Sequence, residues 1–203
     1  MSVTSIKIGN KPSISVDYSG QGEMVLFLHG IGGNKKNWKN NISFFSKQFL
    51  TVALDTRGYG ESDDYNGELD FNDVLDDLKK VIDFFEKDKA HIVGLSMGGQ
   101  IATLFYNKYP SYVKTLTLCD THFGLSNLSP TEIEKFINLR KEPLINGKEP
   151  KDIAPIVAST LIGDINNKSA YEQLVNSMEL LHKESYLKTI ETSMRTEHRH
   201  VFK

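Results

Sequence analysis

The chain has 203 residues, 39% of them apolar, with 15 glycines, a composition that fits one folded domain and excludes collagen-like or disordered character. Its 24 basic and 26 acidic side chains leave a net charge of −2, too weak a field to make nucleic acid or an anionic membrane an expected partner. The longest unbroken apolar run, Met24–Leu28, is five residues, far short of a membrane span. The first ten residues show no charged head ahead of an apolar stretch, and the single Cys119 cannot close an intrachain disulfide. The expected setting is the cytoplasm.

In chain order, Ser5–Ile8 and Ser13–Asp17 alternate at period two around Gly9-Asn-Lys-Pro12, which predicts a hairpin. Three mostly apolar runs follow, Met24–Leu28, Leu50–Leu54 and Ala90–Leu95, with the character of strands buried on both faces of a parallel sheet. Between them, Phe71, Val74, Leu75, Leu78, Val81, Ile82 and Phe85 recur at three-and-four spacing behind Asp70, the pattern of a capped amphipathic helix. A further helix runs from Met97 to about Tyr109, where Pro110 stops it, and Val113–Cys119 reads as one more buried strand. Alternation of strand and helix predicts an α/β domain: a mostly parallel sheet covered by helices on both faces, occupying residues 1–123. From Gly124 onward no strand pattern is visible. Capping boxes at Ser129-Pro-Thr-Glu132 and Ser169-Ala-Tyr-Glu172 open helices, a third covers Lys151–Leu161, and a fourth covers Ser185–Met194. Residues 124–203 are therefore expected to form a helical cap.

Gly94-Leu-Ser-Met-Gly98 carries the most chemistry. It joins an apolar strand directly to a helix, the context in which a serine hydroxyl is presented on a sharp turn between two glycines. Ser96 is the candidate nucleophile, and the Met97 N–H, opening a helix, points to where negative charge would develop. His29-Gly-Ile-Gly-Gly33 follows another buried strand, and its Ile31 N–H is the candidate second donor; His29 itself reads as a loop-orienting scaffold residue. Asp55-Thr-Arg-Gly-Tyr-Gly-Glu-Ser-Asp63 is a third glycine turn, but no phosphate-loop or dinucleotide pattern accompanies it. Arg57 is expected to pair with a loop carboxylate.

These three motifs, H-G-I-G-G, D-T-R-G-Y-G-E-S and G-L-S-M-G-G, occur in the order found in the α/β-hydrolase superfamily, which the chain resembles closely over residues 1–123 and loosely over 124–195. Leu118-Cys-Asp-Thr121 is similar to the esterase and enol-lactonase branch. The resemblance implies a cofactor-free and metal-free serine hydrolase of small carboxylic esters or lactones. With serine at the elbow, it departs from the epoxide hydrolase and dehalogenase pattern. It also implies a triad running Ser, then Asp or Glu, then His.

No acid turn after an apolar strand and no late histidine turn is found behind the cap. The family's last two strands, final helix, acid and base are therefore expected to be missing from these 203 residues. Asp120 is the alternative acid. His122 beside it is a weak candidate base, because sequence neighbours do not readily face Ser96 and each other together. His182 is expected on a cap helix, and His198 and His200 in a frayed polar tail. Without later strands, Thr115–Cys119 would be an apolar sheet edge open to pairing with another copy. A non-catalytic small-ligand-binding module and a complementing fragment of the same fold remain the alternative readings.

Overall fold

The computed structural model describes residues 2–202. Strands β1 (Thr4–Ile8) and β2 (Ile14–Ser19) form the hairpin, with Ile8 opposite Ile14. They are followed by β3 (Met24–Leu28), β4 (Leu50–Leu54), β5 (Ala90–Leu95) and β6 (Val113–Cys119). The sheet order is β1-β2-β4-β3-β5-β6. β4, β3, β5 and β6 run parallel, while β2 joins β4 antiparallel, so the sheet is mixed at its hairpin end.

Alternation along β3 divides the core. Met24, Leu26 and Leu28 enter the larger apolar cluster, whereas Val25 and Phe27 face a smaller one built with Trp38 and Ile42. The smaller cluster is roofed by α1 (Lys39–Phe45), which follows a 3-10 turn at Lys35–Trp38. The opposite face carries α2 (Phe71–Phe84) and α3 (Met97–Lys108). Asp70 accepts the Asn72 N–H at the start of α2, as its sequence position suggests.

The second part is all helical among the described residues: α4 (Pro130–Ile145), α5 (Pro150–Leu161), α6 (Lys168–Glu179) and α7 (Lys183–Arg195), then a 3-10 turn at Arg199–Phe202. Their apolar faces do not form a separate core. Leu144, Ile153, Met178, Tyr186 and Ile190 belong to the same cluster as Leu28 and Met97. Polar ties reinforce the join: Ser185 Oγ donates to Asp64 (2.8 Å) and Ser193 Oγ to Gln100 Oε1 (3.0 Å).

Three expectations need correction. β6 is not the buried strand its letters suggest: it takes the edge position also expected for Thr115–Cys119, with Lys114, Thr115 and Thr117 exposed, because only β5 flanks it among the described residues. The tail is not frayed. His198 is buried, its N–H donates to Phe123 O (3.1 Å), and the Phe202 ring packs against Phe123 at a 54° tilt with centroids 4.4 Å apart. The buried His198 ring and the Phe123–Phe202 contact thus tie the tail to the core despite its polar residues. Finally, Arg57 reaches helix carboxylates and not a loop one, with Nε on Asp77 and Nη1 on Asp73, both at 2.7 Å.

Candidate active site

Ser96 sits between β5 and α3 with φ 51° and ψ −115°, a left-handed conformation that costs a side-chain-bearing residue roughly 1–3 kcal/mol. The turn is this sharp because its glycines let backbone touch backbone. A Cβ on Gly94 would lie 2.3 Å from Gly98 O, and one on Gly98 would lie 2.3 Å from Leu28 O. The end of β6 locks the bend from the other side. Ser96 N–H donates to Cys119 O (2.9 Å), and Thr121 Oγ1 donates to Ser96 O (2.7 Å).

Two main-chain donors flank the serine. Met97 opens α3, so its N–H has no helical acceptor. Ile31 lies in the loop after β3, which closes through Gly33 N–H to Gly30 O (2.9 Å). A Cβ on Gly30 would stand 3.4 Å from Ser96 Cβ, which places this loop directly against the elbow. Neither Ile31 N nor Met97 N has a hydrogen-bond partner among the described residues.

The loop is held by buried polar groups. His29 donates from Nδ1 to Gly30 O (2.8 Å) and accepts the Thr56 N–H at Nε2 (3.0 Å); burial holds its pKa below the ordinary histidine value. It is scaffold, with both nitrogens used. Behind it the fully buried Lys35 ammonium reaches Glu61 (2.9 Å), Asp17 (3.2 Å) and Asp55 (3.7 Å). Burial pulls the Lys35 pKa down, but these carboxylates outweigh it and leave it raised.

Ser96 opens on a partly open cavity of about 220 Å³. Ile31, Leu125, Ile133, Val157 and Met178 give it an apolar wall, and His122, Arg140 and Tyr186 supply the polar groups beside the serine. No carboxylate side chain lines it. Of the apolar cap residues Ile133, Ile137, Leu174 and Met178, only Ile133 and Met178 reach the cavity.

The histidines do not meet Ser96. His122 shares the cavity, but its Nε2 lies 2.8 Å from Gln100 Nε2 and its Nδ1 accepts the Gly124 N–H (3.2 Å); burial keeps its pKa below the usual value. His182 is the N-cap of α7 and not a residue of its interior, bound to Asp64 (2.8 Å) and Gly60 O (3.1 Å). His198 is buried with both ring nitrogens unpartnered among the described residues. Asp120, at φ 43°, is exposed at the end of β6, and its carboxylate makes no hydrogen bond among the described residues. Ser96 Oγ likewise has no side-chain partner among them. The described residues include no group of three or more metal-ligating side chains.

Arg140, Tyr186 and Gln100 escaped sequence reasoning. Arg140 left one signal, a charge on the face where Ile133, Phe136, Ile137 and Leu144 make an apolar stripe at helical spacing.

Residues 23–200 match the family described as alpha/beta hydrolase fold. The chain belongs to the α/β-hydrolase family. Among curated relatives, a 2-(acetamidomethylene)succinate hydrolase of Mesorhizobium japonicum is 32% identical over 108 residues, which cover 53% of this chain and 39% of that protein. The chain spans well under half the length of the curated relatives it matches. An enol-lactonase from Burkholderia xenovorans superposes with a TM-score of 0.83 at 18% identity, over 97% of this chain and 75% of that one. An esterase from Exiguobacterium antarcticum gives 0.81 at 20% identity, over 96% and 74%. Among the described residues no helix is long and apolar enough to cross a membrane.

Proposed function

We propose that this α/β-hydrolase chain carries the nucleophile half of a serine hydrolase acting on small carboxylic esters or lactones. The observation that carries the reading is the Ser96 turn: a strained serine facing a cavity, its hydroxyl and two adjacent N–H groups without partners among the described residues. In this reading Ser96 Oγ attacks the substrate carbonyl carbon and loses its proton to a base. The Ile31 and Met97 N–H groups donate to the oxygen that becomes negative. Collapse expels the alcohol, or opens the lactone ring, and leaves an acyl-enzyme that water cleaves. Esterase and enol-lactonase neighbours with the same fold support that substrate class.

Because no described histidine bonds to Ser96, the base is not among the described contacts. Turnover by these residues alone is expected to stay within the ~10³–10⁴-fold over water that an oxyanion site and binding sustain when a triad member is missing. The test is covalent labelling with a fluorophosphonate, followed by peptide mass spectrometry. Modification at Ser96, lost in Ser96→Ala, is expected; modification elsewhere, unchanged in that variant, overturns the reading. The unengaged serine also favours a second reading, a pocket that binds a small ligand without turning it over. In that case slow ester hydrolysis would be the same in wild type and Ser96→Ala.

A further inference from the structure

Arg140 is 5% exposed and lines the cavity that Ser96 faces, yet no carboxylate lies within 4 Å of it among the described residues. Its one recorded hydrogen bond runs from Nη1 to Phe136 O (3.2 Å), one turn back on its own helix. A guanidinium has five N–H donors in a planar fork, so most of its donor capacity is unspent. The Phe136 ring lies 3.8 Å from the guanidinium carbon and holds the fork in one plane. Tyr186 lines the same cavity, is 1% exposed, and makes no hydrogen bond through its hydroxyl among the described residues. Burial pushes the Tyr186 pKa up to about 12, so this hydroxyl remains an O–H donor near neutrality.

A permanently charged group buried against Ile133, Phe136 and Val157 is costly unless something compensates it. The usual compensation would be an aspartate or glutamate in the same wall, and the wall has none. A ligand can supply the missing charge on entry. The planar fork matches a carboxylate bidentately, and the Tyr186 hydroxyl adds a donor from a neighbouring helix.

We infer that the substrate bears a free carboxylate, seated on Arg140 and Tyr186, in addition to the carbonyl presented to Ser96. The substrate class is then a half-ester of a short dicarboxylic acid, or a lactone with an acidic side arm. This inference rests on the proposed use of Ser96 for the reacting end. The binding preference it predicts can be read whether or not any bond is cleaved.

Titration calorimetry with the whole chain compares monomethyl succinate, glutarate and adipate with their dimethyl esters. At least one half-ester is expected to bind at least ~10-fold more tightly than its neutral diester. Arg140→Gln should bring the pair within about 2-fold, while Arg140→Lys, which keeps the charge but not the fork, should retain an intermediate preference. A thermal melt of each variant separates lost binding from lost fold. A merely structural Arg140 would alter the melts and leave the acid-over-ester ratio in place. The proposal is overturned if no half-ester is preferred by the wild type, or if the preference survives Arg140→Gln. Fluorophosphonate labelling without the preference would sink only the carboxylate seat. The preference without labelling would sink only the hydrolytic reading.

Discussion

At the scale of single residues, the elbow depends on two hydrogen atoms standing where methyl groups would otherwise be. A methyl at position 98 would sit 2.3 Å from Leu28 O, an acceptor fixed in the parallel ladder of β3 and unable to retreat. Gly98→Ala should therefore cost about 1–3 kcal/mol, as overpacking does, measured as a lower urea midpoint with unchanged slope. It should also reduce labelling at Ser96, because the strain is relieved most directly by tilting α3 away from the serine. A variant as stable as wild type would show that the turn is looser than its contacts require. The glycine spacing was readable from sequence, since few backbones other than a tight elbow need that pair. Arg140 was not. A buried cation on a helix face reads as an ordinary surface residue until the neighbouring helices close over it.

At the scale of elements, α2 shows how one loop side chain fixes a helix. Its apolar face, including Val74, Leu78 and Ile82, follows directly from sequence spacing and is buried as expected. Asp77 is also buried on this helix, however, and Arg57 from the loop after β4 neutralises it. Burial pulls the Arg57 pKa down, but the bonds to Asp77 and Asp73 outweigh it and leave it raised. Removing one partner of such a pair strands the other. Arg57→Met is expected to destabilise by ~3–5 kcal/mol, while the double variant Arg57→Met, Asp77→Leu should recover much of that loss. Equal losses in the single and double variants, in chemical denaturation, would contradict the pairing. Sequence patterning suggested a carboxylate partner for Arg57 but chose the loop, because proximity in the chain is a poor guide once a helix folds back over its own connection. The same limit applies to β6. Its apolar letters read as a buried strand, but exposure depends on how many neighbours the sheet gives it, which periodicity does not record.

At the scale of the whole molecule, three histidines from distant parts of the chain share one electrostatic condition. His29, His122 and His198 all have pKa values lowered, chiefly by burial, from an ordinary 6.5. Below that value the unfolded chain takes up protons that the folded chain resists, so stability contributed above pH 6.5 is lost as pH falls toward the depressed folded values. Each histidine adds up to about 1.4 kcal/mol per pH unit to that slope. The lowered carboxylates, Asp64 and Glu191 among them, act in the same direction but below their ordinary values of 3.8 and 4.5, so the window from pH 6.5 to about 4.5 belongs to the histidines. His198 offers the sharpest test, because neither ring nitrogen has a partner among the described residues, and the edge-on ring of Phe123 and the nearby His122 both face it. His198→Phe removes an unsatisfied polar group and a titrating site together. It should raise the melting temperature at pH 7 modestly and at pH 5 by several degrees more, flattening the acid limb. Parallel melting curves for the two proteins across that range would mean that the tail opens before it titrates, and that Phe123 and Phe202 do not hold it closed.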